Sequence, residues 1–480
     1  MTLTVIWLLP LLGALLIAGM PPHLAKYMGF LVSLGTLAIA IFIALSFAPD
    51  YHRFQFDESV PWIPPLHVFY RLGVDGISIW LVLLNAFLTT VAILATPAGM
   101  RGASRFMALM LAMSAGMAGV LLATDLVLFY VFWEAMLIPA YFLLWLFGEG
   151  ERPGRAALKF VLYTLVGSLL MLVGVIGEYV FTGQQTFDLA KLPTIAPSPA
   201  IQFGLFGTFA LAFGIKTPLF PLHSWLPDAY AAAPTPMLVT FAGMMGKTGA
   251  YGFLRIAIPL FPDPSYWWDW RWVIPALAVG GIIWGALMAI AQRDMKMLVA
   301  YSSVSHMGFI VLGIFALNVQ GQQGALVQMV NHGIIVPALF LLVGWLYDRV
   351  GTFDRSLVTG LASRMPIFTG VLMVVVLAAL GLPGLNSFVG EFMTLLGAWE
   401  RAPVLAVIGA VGLVLAPVYM LRFFQGAVYA PEPYAKPLDD IYAGQLTLLA
   451  PLVALMFALG LAPGVLTALM TSVAQQGLAK

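Results

Sequence analysis

Long runs of apolar residues restrict the fold of this sequence more than any other feature. Fourteen such runs, each of about 18 residues or more, lie between polar or Pro/Gly-rich breaks. A helix needs about 20 mostly apolar residues to cross the hydrocarbon core of a bilayer. We therefore predict an all-α polytopic membrane protein with 14 transmembrane helices. The predicted spans are 3–20, 27–48, 74–96, 104–123, 126–147, 157–182, 199–228, 235–260, 271–291, 298–317, 322–347, 367–398, 403–427 and 445–471.

The composition agrees with a membrane protein and argues against other classes. The chain has 480 residues, of which 61% are hydrophobic and 9% are charged. Soluble domains have about 25% charged residues, so this chain has too few to cover a water-exposed surface of its size. Lys and Arg total 22 and Asp and Glu total 21, which leaves no net field to attract a polyanion. An ordinary soluble enzyme, a disordered protein and a nucleic-acid partner are all excluded on these grounds.

The cysteine count limits the chemistry of the chain. With no Cys at all, it has no disulfides, thiolate metal sites, cysteine-held iron–sulfur clusters or Cys nucleophile. The sequence also lacks a Walker A motif, a Gly-rich dinucleotide loop and a His/Glu zinc spacing. We therefore expect no cofactor and no metal in this chain. If it takes part in redox chemistry, the electrons travel in another chain.

Basic residues predict the orientation in the membrane. Lys and Arg are enriched in cytoplasmic loops, and alternate predicted loops differ strongly in their content. One set carries thirteen, and the opposite set carries six, or seven with Arg255 at a helix end. The first set is therefore predicted to be cytoplasmic, with both termini outside. The thirteen are Lys26, Arg101, Arg105, Arg152, Arg155, Lys159, Arg293, Lys296, Arg349, Arg355, Arg364, Arg422 and Lys436, and the six are Arg53, Arg71, Lys191, Arg271, Arg401 and Lys480.

Two of the predicted spans contain breaks. Span 199–228 includes Lys216-Thr-Pro-Leu-Phe-Pro-Leu-His223, and span 367–398 includes Leu380-Gly-Leu-Pro-Gly-Leu-Asn-Ser387. Proline removes a backbone hydrogen bond and glycine adds freedom. Open backbone at membrane depth is tolerated only inside protein or beside water.

The positions of the breaks indicate an internal repeat. Each break lies in the fourth span of a five-span block. Because five is an odd number, two successive blocks begin on opposite sides of the membrane and therefore have opposite orientations. This pattern is typical of inverted repeats with a site at each break. The predicted division is an N-terminal three-helix region at 1–103, a first five-helix repeat at 104–260, a second inverted repeat at 271–427, and helix 14 within 428–480.

Several ionisable residues lie deep inside predicted spans and need a reason to be there. A charge at the centre of a bilayer costs about 2.5–3.5 kcal/mol on insertion scales. A Lys in a low-dielectric site can lose its proton, and a nearby carboxylate opposes that loss. Histidine titrates near neutral pH and suits a proton relay. The candidate proton-transfer residues are Glu134, Lys216, His223, Lys247, His306, His332 and Glu391.

Each candidate also has a structural interpretation. Glu134 and Lys216 can form one inert ion pair, and Lys247 can extend its amine toward the membrane surface. The three histidines can be satisfied core residues or, for His223, a cap at the broken helix. Glu391 can be a neutral core acid. Asp125, at a span junction, is as consistent with a helix N-cap as with a functional acid. That all seven are merely structural is the weakest of these interpretations.

Long motifs are distributed along the chain. They are Phe132–Pro139 (FWEAMLIP), Lys216–Pro227 (KTPLFPLHSWLP), Ala233–Thr235 (APT), Lys247–Arg255 (KTGAYGFLR), Asp294–Lys296 (DMK) and Ala300–Gly308 (AYSSVSHMG). These motifs resemble those of the antiporter-like membrane subunits of respiratory complex I. The resemblance covers essentially the whole chain, and it implies fourteen helices with two inverted five-helix repeats. Within that family, Gly384-Leu-Asn-Ser-Phe-Val-Gly-Glu391-Phe392 matches the branch with Glu in the second broken helix, whereas chains L and N typically have Lys there.

The resemblance implies roles for the candidate residues. Glu134 and Lys216 would be the charge pair of the first half-channel, and Lys247 would be the connecting Lys. His306 and His332 would form the central relay, with Glu391 as the exit-side acid. One departure is Tyr230, where many relatives have His. A phenol can join a hydrogen-bonded water chain but will not hold a proton charge near pH 7, which weakens a relay role at this position.

These observations lead to the hypothesis of a proton-translocating membrane subunit of a bacterial NADH:quinone oxidoreductase. FMN, iron–sulfur clusters and quinone would be held by partner subunits, so the chain would be part of an enzyme without carrying a redox centre. Its expected partners are the lipid bilayer and other complex I membrane subunits, especially the antiporter-like chains L and N. The expected location is the bacterial inner membrane. The alternatives are a Mrp-type sodium/proton antiporter subunit, the matching subunit of a photosynthetic ferredoxin-linked complex or a membrane-bound hydrogenase, and a scaffold that conducts nothing.

Overall fold

A computed structural model describes residues 1–48, 54–183, 186–192, 198–262, 268–430 and 438–469, except for the side chains of 268–271. Most of these residues are helical. The elements up to residue 260 are α1 (Thr2–Ile17), α2 (Pro22–Leu45), β1 (Gln55–Ile63), β2 (Val68–Val74), α3 (Ser78–Ala95), α4 (Ala103–Leu122), α5 (Leu126–Ala135), α6 (Leu137–Phe147), α7 (Pro153–Phe181), α8 (Pro199–Lys216), α9 (Trp225–Ala232), α10 (Thr235–Thr240), α11 (Gly246–Gly252) and α12 (Ile258–Leu260). The later helices are α13 (Trp268–Ala291), α14 (Met295–Ile314), α15 (Val319–Val350), α16 (Leu361–Arg364), α17 (Pro366–Ala379), α18 (Asn386–Arg401), α19 (Pro403–Tyr429) and α20 (Ala443–Leu461).

Eleven helices among the described residues are long and apolar enough to cross a membrane. They coincide with eleven of the predicted spans. The other three predicted spans are also helical, but α1 has only 16 residues, 235–260 is divided by two π-helical turns, and 367–398 is divided by a break. The multi-pass helical membrane fold is thus confirmed, whereas the count of fourteen spans and the repeat architecture stay predictions.

Helices end at both of the predicted breaks. The first break follows Lys216, where α8 ends, and lasts until α9 begins at Trp225. The second separates α17 from α18, between Ala379 and Asn386. Gly381 and Gly384 there have φ angles of +79° and +96°, a region that residues with a Cβ rarely adopt. These two glycines therefore allow the chain to turn between the two helical halves.

A β-hairpin joins α2 to α3, which the sequence analysis did not predict. Strands β1 and β2 pair antiparallel, with Pro61 opposite Phe69 and Val60 opposite Tyr70. The Glu58 carboxylate on β1 accepts hydrogen bonds from the backbone N–H groups of Leu3 (2.8 Å) and Thr4 (3.2 Å). The first N–H groups of a helix have no partner within the helix. The hairpin therefore caps the start of α1.

The described residues form two compact units. One consists of the described residues within 1–218 and 232–274 together with 468–469, and the other of the described residues within 219–231 and 275–467. The first contains Lys216 and Lys247, and the second contains the second break. Among the basic residues that predict the orientation, Arg53, Lys436, Lys480 and the Arg271 side chain lie outside the described residues.

Candidate functional site

A hydrogen-bonded group of side chains lies beside the second break. The His306 Nδ1 atom on α14 is 2.7 Å from Oε1 of Glu391 on α18. Gln328 Nε2 on α15 donates to the same oxygen at 3.1 Å, and the Ser387 hydroxyl donates to it at 3.3 Å. All four side chains are buried. We call these four residues the Glu391 cluster.

Close helix packing holds the Glu391 cluster together. A Cβ atom added to Gly390 on α18 would lie 2.5 Å from Gln328 Oε1, and one added to Gly324 on α15 would lie 2.5 Å from the Thr394 backbone nitrogen. Any larger residue at either position would push α15 and α18 apart. The backbone of the second break lies close to the Glu391 carboxylate, because a Cβ on Gly381 would lie 3.2 Å from Glu391 Oε2.

The second predicted relay histidine lies next to the first. The ring centroids of His306 and His332 are 5.7 Å apart, too far for a direct hydrogen bond between the rings. A small cavity of about 10 Å³ touches both rings and also Ser302, Gln328 and Ser387. One water molecule needs about that much space and two to four polar partners. A single water could therefore link the two imidazoles.

In the first unit, Lys216 is buried among aromatic rings at the end of α8. It is 1% exposed, and its Nζ atom lies 5.4 Å from the ring centroid of Trp133 and 5.8 Å from that of Phe160. Glu134 is the carboxylate that acts electrostatically on Lys216. Among the described residues, Nζ and Glu134 Oε1 have no hydrogen-bond partner, and the two groups are not within the 4.0 Å of an ion pair. A contact ion pair, which was the structural alternative, is therefore not formed.

Lys247 lies at a distortion in its helix. Phe241–Met245, immediately before α11, is a π-helical turn, and a second such turn follows at Phe253–Ala257. The Lys247 amine is fully buried and donates to the Ala242 carbonyl at 2.8 Å. Single π-helical turns occur frequently at functional sites. No sequence pattern predicts these turns, because a π-helical turn does not change the apolar character of a run.

The remaining candidates have well-defined surroundings. The His223 ring, 7% exposed, stacks on Phe220 with 5.5 Å between centroids in the turn after the first break. Tyr230 is buried and packs edge-on against Phe340 at 5.7 Å. Asp125 accepts hydrogen bonds from the Val127 and Leu128 backbone N–H groups at 3.0 and 3.2 Å. The N-cap interpretation of Asp125 is thus confirmed.

Sequence reasoning missed two kinds of residue. Gln328 and Ser387 were not candidates because they carry no charge, although polar residues within an apolar run were a visible signal. It also missed the ion pair between Arg255, which follows Lys247 on the same helical run, and Asp75, which precedes α3. The two residues are 180 apart in sequence, so no local pattern links them. The only available signal was the position of Arg255 within an apolar run.

The Glu391 cluster can hold and move a proton. A proton in the bond between His306 and Glu391 can lie on either the imidazole or the carboxylate, and two neutral donors stabilise the charged carboxylate. A lysine amine and a carboxylate attract each other without contact in a poorly screened site, and Lys216 and Glu134 are placed in this way. Among the described residues, no group of three or more His, Asp or Glu side chains could hold a metal ion.

Comparison with known proteins agrees with this geometry. Residues 123–416 match the family model of NADH:quinone oxidoreductase/Mrp antiporter transmembrane proteins. The chain is 40% identical to NADH-quinone oxidoreductase subunit M of Mycobacterium tuberculosis H37Rv, over 96% of this chain and 91% of that protein. A chain of respiratory complex I from Thermus thermophilus has a TM-score of 0.90 at 34% identity, with 100% of both chains covered. A chain of the Mrp complex from Dietzia sp. has a TM-score of 0.86 at 24% identity, covering 99% and 97%, and shows the fold alone.

The fold and the buried ionisable groups define a multi-pass membrane protein of the antiporter-like class. Within that class, the chain belongs to the family of NADH-quinone oxidoreductase subunit M. The resemblance found in the sequence is confirmed, including the branch indicated by Glu391.

Proposed function

We propose that this chain translocates protons as a membrane subunit of NADH:quinone oxidoreductase. The observation that carries the proposal is a buried ionisable side chain at each broken helix, Lys216 at the first and Glu391 at the second. Such groups are costly within a membrane and mark ion pathways.

In the first unit, Lys216 would alternate between holding and releasing a proton. Its surroundings are apolar and aromatic, and Glu134 acts on it without contact. A small movement of either helix would therefore change the attraction between the two groups, because the Coulomb energy varies with distance in a poorly screened site. Lys247, whose amine donates a hydrogen bond to the Ala242 carbonyl in the π-helical turn, would receive the proton that Lys216 releases.

In the second unit, His306 and Glu391 would exchange the proton through their 2.7 Å hydrogen bond. His332 would exchange it with His306 through a water in the cavity between them. His223, in the turn after the first break, would be the further imidazole of the pathway. In this scheme Glu391 is the acid on the exit side.

The assembly supplies what this chain lacks. We infer that FMN, iron–sulfur clusters and quinone are held by partner subunits, since a chain without Cys cannot ligate iron–sulfur clusters with thiolates. The proposed neighbours are the antiporter-like chains L and N, in a bacterial inner membrane with both termini on the periplasmic side. The proposed repeats are residues 104–260 and 271–427, flanked by 1–103 and 428–480.

Isolation of the complex tests the assembly. The tagged chain is purified from native membranes in mild detergent, and its partners are identified by mass spectrometry. Flavin and iron–sulfur subunits with NADH-dependent quinone reduction are expected. Recovery of small membrane subunits alone, without flavin, would instead support a Mrp-type antiporter.

Substitution of the charge pair tests the pumping role. In membrane vesicles, Lys216→Ala and Glu134→Ala are each expected to abolish most NADH-driven proton uptake. The partner subunits should still oxidise NADH when an artificial electron acceptor is added. Arg155→Ala, at an exposed position of α7, is the control and should pump normally. Unchanged uptake in both variants would refute the assigned role.

A further inference from the structure

Glu178 is a buried carboxyl that belongs to neither group of residues described above. It lies one turn before the end of α7 and is 0% exposed. Among the described residues, neither of its side-chain oxygens has a hydrogen-bond partner, and no Lys, Arg or His lies within 4.0 Å of them. A structural acid would be expected to have such a partner.

The side chain faces the interior of the first unit. It continues the buried face of α7 that includes Met171, Gly174 and Val175, whereas Ile176 and Val180 on the opposite face are 55% and 49% exposed. Helix α8 packs tightly there, because a Cβ on Gly174 would lie 2.3 Å from Thr208 Oγ1. Glu178 therefore cannot extend to lipid headgroups or bulk water as a surface acid would.

Along α7, Glu178 lies on the side of the first unit away from Lys216. Near the other end of this helix, Phe160 contacts Lys216, and at about 1.5 Å per residue the two positions are about 27 Å apart along the axis. Tyr179, the next residue, stacks on Phe187 with 4.5 Å between ring centroids. Phe187 precedes Asp188, which forms an ion pair with Arg71. Glu178 thus lies between the buried lysine and a charged surface network.

We propose that Glu178 is a further proton-binding site of this chain, which takes up and releases a proton between Lys216 and the surface that carries Asp188 and Arg71. An ionised carboxylate without a partner is costly in such a site, so a purely packing role would be filled better by Gln or Leu. A carboxylic acid at this position can bind a proton at low cost and release it when water or a cation approaches. The inference rests on the proposed proton translocation.

No neighbouring charge already fixes the protonation of Glu178. The titratable side chains on the neighbouring helices are Tyr130 and Glu134 on α5, Tyr141 on α6 and Lys216 on α8. Asp188 follows Phe187, on which Tyr179 of α7 stacks. None of these described groups forms a hydrogen bond or ion pair with Glu178. Burial without a hydrogen-bond partner disfavours the charged carboxylate, so a local change in hydration would help to release the proton.

The test compares variants in vesicles that contain the assembled complex. Proton uptake per NADH oxidised is measured from pH 6 to 8. Glu178→Gln keeps the shape of the side chain but removes the ionisable carboxyl, and it is expected to lower proton uptake several-fold. Glu178→Asp keeps a carboxyl and is expected to retain at least half of the wild-type proton uptake, with a shifted pH profile. The control Glu151→Gln, at an exposed position before α7, should match the wild type.

Each outcome decides the proposal. Wild-type uptake and an unchanged pH profile in Glu178→Gln would overturn it, as would equal losses in the Gln and Asp variants. If Glu178→Gln does not assemble, the Glu178→Asp pH profile decides: a shift supports the site and an unchanged profile refutes it. Lys216→Ala run in parallel separates the two proposals, because loss of pumping there with normal Glu178→Gln pumping refutes only the Glu178 site.

Discussion

Glu391 combines several buried hydrogen bonds with a proposed role in proton transfer. Its Oε1 atom accepts from Gln328 and Ser387 and meets His306. Glu391→Gln keeps an acceptor oxygen at this position but removes the exchangeable acid. We expect the variant complex to assemble and its proton uptake per NADH to fall at least about tenfold, since a positioned proton-transfer group contributes about 10²–10⁴-fold.

Glu400→Gln is the matched control on the same helix. Glu400 lies in the last turn of α18, is exposed, and accepts a hydrogen bond from Asn318 at 3.0 Å, which a glutamine oxygen can also accept. This variant should pump like the wild type. Proton uptake in Glu391→Gln equal to that of Glu400→Gln would show that the Glu391 carboxyl carries no proton.

At this scale the sequence predicted the charged members of the site but not their partners. Glu391 and His306 were recognisable because charge and imidazole are rare in apolar runs. Their contact joins residues 85 apart, and it depends on glycine-mediated packing that no local pattern reveals. Gln328 donates a hydrogen bond to the same carboxylate oxygen, but it was missed because an amide costs less to bury than a charge.

The approach of helix α11 to α8 is a property of whole elements. A Cβ on Gly249 would lie 2.4 Å from Thr217 Oγ1 and 2.7 Å from the Phe213 carbonyl oxygen. Gly249→Ala should therefore destabilise the fold by about 1–3 kcal/mol through overpacking, seen as a lower thermal unfolding temperature in detergent. Gly204→Ala on α8, where nothing lies within 4 Å, is the control. It should be neutral or stabilising because Ala favours helix, and a larger loss there than at Gly249 would contradict the argument.

The start of α5 should make stability depend on pH. Burial raises the pKa of the Asp125 carboxyl from its ordinary 3.8 to about 6, against the opposing effect of three backbone N–H groups. A raised carboxyl pKa means that the folded state loses stability as the pH rises from about 4 to 6. Asn has no charge to bury, so the unfolding temperature of Asp125→Asn relative to the wild type should increase between pH 4.5 and 7.5. The full effect is on the order of 3 kcal/mol.

A second capping aspartate provides the control for this pH dependence. Asp354 caps the turn at Arg355–Leu357, and hydrogen bonds from the Ser356 hydroxyl and backbone lower its carboxyl pKa below 3.8. Its titration is therefore complete below pH 4.5. Asp354→Asn should change the unfolding temperature by the same amount at every pH from 4.5 to 7.5. A flat difference for Asp125→Asn as well would show that Asp125 ionises normally.

Elements differed in how far the sequence predicted them. Membrane spans follow from run length, and breaks follow from Pro and Gly, so α2, α7, α15 and both interruptions were foreseen. The hairpin of β1 and β2 was not, because a scan for long apolar runs ignores short segments between them. The π-helical turns were also missed, since one extra residue in a turn leaves hydropathy unchanged.

The orientation of the whole molecule rests on the unequal distribution of basic residues. The loop before α7 belongs to the set with thirteen Lys and Arg, and the hairpin lies in the set with six. Because the chain has no Cys, one introduced cysteine is the single thiol that a maleimide can label in the purified chain. Glu151, in that loop, and Leu66, at the hairpin turn and 49% exposed, are suitable positions.

We expect Glu151→Cys to react from the cytoplasmic side and Leu66→Cys from the periplasmic side. The positive-inside rule requires this, since α3 to α6 return the chain to the opposite surface after the hairpin. Intact cells and inside-out vesicles are treated with a membrane-impermeant maleimide, and labelling in detergent controls for reactivity. Leu66→Cys should be labelled only in cells and Glu151→Cys only in vesicles. Reversed labelling would invert the orientation and exchange the uptake and release sides of the pathway, whereas labelling of both from one side would show that the number of spans between them is wrong.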